Sequence, residues 1–272
     1  MRKEIKAIIL GGLLTAIITL SLFTSTKTQN ELATNSGATL SNKKIEWGIQ
    51  RKENHEQPNL GKNNLELINK YNGMALGNSE KKYVYLTFDL GYEAGFTEKI
   101  LDALKENNVK AAFFITAHYV NTASDKVQRM IEEGHIVGNH TVNHKSMPSL
   151  SDEKLKEEVM KLHQSVFEKY NYEMKYIRPP KGEYSERVLK LCGNLGYKTV
   201  MWSFAYVDWD EKKQPSKSDA MDKIISNLHN GEIMLLHATS KTNADIMDKI
   251  IKKVQEEGYE FRSLEEFVQW EE

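Results

Sequence analysis

The chain has 272 residues, 40% of them hydrophobic and 28% charged, and a formal net charge of -1. That length can bury a substantial core, which predicts one main domain plus an N-terminal extension. The charge balance excludes the basic excess that would favour nucleic acid, so a neutral or weakly charged substrate is expected instead.

Residues 1–26 stand apart. Arg2, Lys3 and Lys6 precede an apolar run from Ala7 to Phe23 that contains no charge, the pattern of an export signal or a membrane anchor. No Ala-x-Ala site follows, and the run is near the lower limit for spanning a bilayer, so both readings stay open. Residues 27–46 begin rich in Ser, Thr, Asn and Gly without periodicity and read as a flexible spacer. Residues 47–80 carry scattered anchors (Trp47, Ile49, Leu65, Ile68, Tyr71, Met74), an extension expected to pack on the main domain at 81–272.

From Tyr83 the periodicity alternates. Strand-like runs at Tyr83 to Phe88, Ala111 to Thr116, Ile136-Val137, Tyr176-Ile177, Lys198 to Trp202, Ile233 to Leu236 and Glu260-Phe261 are separated by helical stretches. The helices are Thr97 to Asn107, Ser124 to Glu133, Ser151 to Tyr170, Glu186 to Leu195, Ser218 to Leu228 and Asn243 to Glu257. About seven βα units predict an α/β fold, a distorted or incomplete (β/α) barrel. No Gly-x-Gly-x-x-Gly follows the first strand, so a dinucleotide fold is not expected. The one cysteine, Cys192, lies in a helical stretch and reads as a small buried hydrophobe.

Ionisable residues recur where these strands end, the face of a parallel βα fold that carries chemistry. Asp89 follows the first strand, where it is a functional candidate or a cap of the next helix. His140 and His144 form a His-x3-His pair in a stretch broken by Gly138, Asn139 and Pro148; alone it fits surface or core histidines, and with Asp89 and His237 on the same face it fits a metal site. Arg178-Pro179-Pro180-Lys181-Gly182 is a rigid turn, or a site where Arg178 forks onto a carboxylate and the Lys181 N–H meets an oxyanion. Asp208-Trp209 ends an aromatic cluster in which Asp208 needs a partner, and His237 is the candidate.

In combination these residues resemble a known family. Thr87-Phe88-Asp89, His140-x3-His144, Arg178-Pro179-Pro180-x-Gly182, Asp208-Trp209 and Ile233-x-Leu235-x-His237 occur in the order of the five motifs of the polysaccharide deacetylases, carbohydrate esterase family 4 with its NodB-homology domain. Gly91-Tyr92-Glu93, Gly134 to His140, Phe204 to Trp209 and Trp47-Gly48-Ile49 look like the sporulation branch, the delta-lactam de-N-acetylases of spore-cortex peptidoglycan. The resemblance spans about Trp47 to Phe267.

It implies an exported, metal-assisted hydrolase that removes acetyl groups from N-acetylmuramic acid in peptidoglycan, with deacetylation of N-acetylglucosamine or chitin-like oligomers as the alternative and an inactive glycan binder as the second. It implies Asp89 as general base, His237 as general acid, Arg178 and Asp208 orienting them, Lys181 and Trp209 at the substrate and oxyanion, and His140 and His144 holding a divalent metal, zinc first. Peptidoglycan strands are the expected partner and a monomer the expected state, with residues 7–23 attaching the chain to a membrane if that run is an anchor rather than a signal. Two positions depart from the family pattern: Leu90 replaces the usual Asp ligand, which puts metal identity and occupancy in doubt, and Ala205 replaces the first Asp of the fourth motif.

Overall fold

The computed structural model describes residues 40–270. The expected signal or anchor and the first part of the spacer lie outside the described residues. Among the described residues, no helix is long and apolar enough to cross a membrane.

Among the described residues, nine strands and eight α-helices follow in chain order. The strands are β1 (Ile45–Glu46), β2 (Tyr83–Leu90), β3 (Ala112–Ile115), β4 (Ile136–Asn139), β5 (Tyr176–Ile177), β6 (Glu183–Tyr184), β7 (Lys198–Thr199), β8 (Glu232–His237) and β9 (Glu260–Phe261). The helices are α1 (Lys62–Lys70), α2 (Thr97–Glu106), α3 (Ala117–Thr122), α4 (Ser124–Glu132), α5 (Asp152–Tyr170), α6 (Glu186–Asn194), α7 (Lys217–Ser226) and α8 (Lys241–Glu256). Seven strands form one parallel sheet in the order β7-β5-β4-β3-β2-β8, with β9 also paired to β2.

This sheet is the expected incomplete barrel, and its two edges are joined by irregular chain. After β7, the Ser203 N–H donates to the Ile233 carbonyl at 3.0 Å and the Leu235 N–H to the Phe204 carbonyl at 2.8 Å, which brings the chain against β8. At the other end of the seam, Met74 pairs with Val200, and the Gly77 N–H donates to the Gly231 carbonyl at 2.8 Å. The N-terminal extension thus helps to close the barrel.

A period of two sorts the side chains. On β2, Val84, Leu86, Phe88 and Leu90 pack in the layer between sheet and helices, while Tyr85 belongs to the barrel interior with Phe114, Ile136, Tyr176, Val200 and Ile233. Continuing the interior row by twos from Tyr85, Ile136, Tyr176 and Ile233 leads to Asp89, His140, Arg178 and His237. The strand pattern itself therefore carries four polar groups to one rim.

The spacer expected to run to residue 46 ends earlier. Its last residues are held: the Arg187 N–H donates to the Ser41 carbonyl, Asn42 bonds the Pro148 carbonyl and the Ser185 hydroxyl, and β1 pairs antiparallel with β6. Two-residue strands carry no periodicity, which is why sequence pattern missed this pairing.

One buried group at the start of β8 costs stability. Glu232 is fully buried, its Oε2 accepts the His229 N–H at 3.2 Å, and its Oε1 has no partner among the described residues. Burial raises its pKa well above 4.5, and burial lowers neighbouring His229 to about 4, so no cation answers it near neutrality. The folded state therefore keeps a proton that the unfolded chain loses. Stability is full below the unfolded pKa and falls as pH rises from there towards the folded pKa, at up to about 1.4 kcal/mol per pH unit. Glu232→Gln should melt higher than the parent at pH 8, with the gap shrinking towards pH 4. A gap constant across that range, read by thermal melts, would show that Glu232 does not titrate on unfolding.

Candidate active site

Asp89, the penultimate residue of β2, lies in register with His237 at the end of β8. The sequence-based strands stop one or two residues short here; both residues are within the strands rather than after them. Beside Asp89 sits Arg178, fully buried just beyond β5. Its Nη1 donates to Asp89 Oδ1 at 2.8 Å, its Nη2 to Thr87 Oγ1 at 2.9 Å and to the Met201 carbonyl at 3.2 Å, and its Nε to the Val200 carbonyl at 3.0 Å. The guanidinium carbon lies 4.2 Å from the Phe114 ring centroid. A Cβ at Gly138 would come within 2.5 Å of that ring, so only glycine lets β4 approach. Burial alone would raise the Asp89 pKa; Arg178, then His140 and His237, outweigh it and hold the carboxyl below its ordinary range.

His140 and His144 project from the loop after β4, their ring centroids 4.7 Å apart. The Arg178 carbonyl can only accept, so His140 Nδ1 donates to it (2.8 Å) and Nε2 is left unprotonated, 3.5 Å from Asp89 Oδ2. Burial pushes His140 down to about 4 and also lowers His144, so both rings are neutral at pH 7. The loop is strained: Thr141 has φ 67° and His144 φ 53°, at about 1–3 kcal/mol each for such residues. Side chains hold it in place. Asn139 Oδ1 accepts the Thr141 N–H at 2.9 Å, Thr141 Oγ1 the His144 N–H at 3.1 Å, and Glu158 Oε2 of α5 the Asn143 N–H at 2.8 Å.

On the opposite side, Asp208 is buried and accepts three hydrogen bonds. Oδ1 takes His237 Nδ1–H at 2.7 Å, while Oδ2 takes the His237 backbone N–H at 2.8 Å and Asn243 Nδ2 at 2.7 Å. Asn243 is in place because the Ser240 side chain caps α8, accepting the Asn243 N–H. Burial opposes a charged imidazole, but the hydrogen bond and charge of Asp208 outweigh it and raise the His237 pKa. The proton sits on Nδ1 facing Asp208, which leaves Nε2 as the working nitrogen.

Lys181 has φ 61°, directly after the two prolines. The neighbouring Gly182 is wedged between Trp202 and Trp47, and its carbonyl accepts the Trp47 N–H at 3.0 Å. Trp209 is half exposed, with its ring 5.6 Å from that of His237. All these groups meet at one cavity of about 780 Å³, lined by Asp89, His140, His144, Lys181, Trp209 and His237, and by Arg51, Trp202, Tyr206, Val207, Lys223 and Leu235. Arg178 and Asp208 lie behind this lining, in contact with Asp89 and His237 respectively. Such a volume suits a small sugar segment.

The donor set fits a divalent ion held by His140 and His144, with the Arg178 carbonyl fixing the tautomer of one ligand as metal-bound histidines require. Leu90 is fully buried in the sheet–helix layer and does not line the cavity. Among the described residues, no group of three or more His, Cys, Asp or Glu forms a ligand cluster. Cys192 is buried in α6 and burial raises its thiol to about 12, so it is no nucleophile.

Sequence pattern did not single out Arg51, Lys223, Glu158 or Asn243, and it named Thr87 only as part of the first motif, with no role. Thr87 alone left a signal, two residues before Asp89 on the interior face of an otherwise apolar strand.

A family model described as polysaccharide deacetylase matches residues 76–200. An uncharacterised 30.6 kDa protein of Geobacillus stearothermophilus is 47% identical over 86% of this chain and 88% of its own. The peptidoglycan-N-acetylmuramic acid deacetylase PdaA of Bacillus subtilis is 40% identical over 84% of this chain and 87% of its own length. The solved structure of that PdaA, a family 4 carbohydrate esterase, superposes with a TM-score of 0.81, covering 84% of this chain and 98% of that one. A family 4 carbohydrate esterase from Bacillus anthracis, 41% identical with the same coverage, gives 0.71.

Proposed function

The chain belongs to the polysaccharide deacetylase family, and from that premise we propose that it removes acetyl groups from N-acetylmuramic acid in peptidoglycan strands outside the cytoplasm. The observation that carries the chemistry is the pairing of two opposed dyads across one cavity, Asp89 with Arg178 and His237 with Asp208. The identity to PdaA over most of both chains supports muramic acid as the sugar; the likeness of Gly91-Tyr92-Glu93 and of Phe204 to Trp209 to the sporulation branch supports the spore cortex as the setting and the delta-lactam as the eventual product.

Amide hydrolysis needs a base for water, stabilisation of an oxyanion and an acid for a poor leaving group. Asp89, held ionised by Arg178, takes the proton of the attacking water. His237, whose affinity for a second proton Asp208 raises, is the acid: as the imidazolium it keeps Nδ1–H on Asp208 and gives its Nε2 proton to the departing amine. The Lys181 N–H, the first backbone donor after Pro179 and Pro180, faces the oxyanion, and Trp209 packs against the sugar. Deacetylases of this family are in general metal-dependent, and here His140 and His144 would hold the ion. When bound, a divalent ion supplies Lewis acidity that makes its water more acidic and steadies the developing negative charge.

The deciding experiment is acetate release from peptidoglycan strands by residues 27–272, after chelation and after adding back zinc or another divalent ion. Release should fall at least about tenfold on chelation and return with metal, with free amine on muramic acid in the product masses. Amine confined to glucosamine would overturn the sugar assignment. Glycan binding without release under any metal would favour an inactive binder, the reading that Leu90 keeps open.

A further inference from the structure

The cavity is more positive than the chain that builds it. Three cations line it, Arg51, Lys181 and Lys223, against one carboxylate, Asp89, whose charge is already answered by Arg178. None of the three has a carboxylate within ion-pair distance among the described residues, although surface lysines and arginines elsewhere are widely paired. Arg51 comes from the N-terminal extension and Lys223 from α7, so neither belongs to the segments that carry the catalytic groups.

Arg51 is also positioned. Its Nη2 donates to the Ala205 carbonyl at 2.6 Å, and its guanidinium carbon lies 5.8 Å from the Phe204 ring centroid. Lys223 leans over Tyr206, Nζ 5.9 Å from that ring. These contacts orient two cations at the cavity wall and neutralise neither. Ala205, whose carbonyl Arg51 holds, brings no charge of its own to the cavity wall, so the guanidinium stays uncompensated there.

Resting on the muramic acid reading, we propose that Arg51, assisted by Lys223, binds the free carboxylate of the substrate's lactyl ether and so sets specificity. In muramic acid that ether is on the carbon next to the one bearing the acetamido group. A carboxylate there lies a few ångströms from the bond to be cut. Glucosamine has no such group, and a lactyl group joined to a peptide stem is an amide without charge. A guanidinium that is already oriented recognises the acid and gains little from either alternative.

The test compares kcat/KM on de-stemmed glycan oligomers with a free lactyl acid and on the same oligomers as lactyl methyl esters, with the metal-loaded protein. The parent should prefer the acid. In Arg51→Gln the acid-to-ester ratio should collapse by about 10- to 100-fold, the range of a charge-assisted hydrogen bond. Lys223→Gln should reduce it less, and Arg51→Lys should recover part of it. Ala205→Asp, which supplies an internal carboxylate, should mimic the loss without removing the arginine. A parent that treats acid and ester alike, or an Arg51→Gln variant that slows both equally, would overturn the proposal while leaving muramic acid as the substrate. A preference for strands that retain their stems would assign the cations to a peptide carboxylate and overturn it too. Acetate release from glucosamine alone would instead remove the reading on which the proposal rests.

Discussion

Asp89→Asn should reduce acetate release by about a thousandfold or more while leaving glycan binding intact, since a positioned general base contributes roughly 10²–10⁴ in rate. The substitution keeps an acceptor at the atom that meets Arg178 Nη1 and removes the proton affinity that the water needs. It also leaves the buried guanidinium without its counter-charge, so the variant should melt lower than the parent and must be assayed well below its transition. Acetate release at the parental rate from a folded Asp89→Asn protein would refute the assignment of the base.

The second large effect is on the fold. Arg178→Met should cost about 3–5 kcal/mol of stability, the penalty for breaking a buried ion pair from one side. Asp89 would be stranded, and Thr87 with the Val200 and Met201 carbonyls would lose the donors that tie β2 to the chain beyond β7. The cycle with Asp89→Asn separates pairing from packing. If the two charges chiefly answer each other, the double variant should be appreciably more stable than the sum of the single losses predicts. Additive losses in denaturant titrations would mean that Arg178 acts through its carbonyl bonds and its stacking on Phe114.

Much of this site is legible in the sequence because strands advertise themselves. Continuous apolar runs, buried on both faces, lead to Asp89 and His237, and a chain of seven strand-like runs alternating with helices points to parallel strands with one shared rim. The sheet-forming residues and their chemistry therefore lie in the same short words of sequence. What escaped has a different physical origin. Arg51 sits in an extension with no periodicity, and it reaches the cavity because Trp47 and β1 fasten that extension to the Lys181 loop and to β6. Asn243 is one polar residue in the first turn of α8, and only the cap at Ser240 turns it towards Asp208. Glu158 lies on a long helix that pattern finds easily, yet its buried role in gripping the histidine loop depends on a contact across the fold.

The seam between β7 and β8 has a consequence for how the molecule comes into being. Strand β2, early in the barrel's sequence, is flanked by β3, made soon after it, and by β8, made near the end; the stitches at Met74 and Gly77 likewise wait for Val200 and Gly231. Nearly the whole chain must exist before the enclosure can form, and pairings between such distant segments are slow to find one another. A nascent chain of this topology stays open for most of its synthesis and closes only when its last strands arrive.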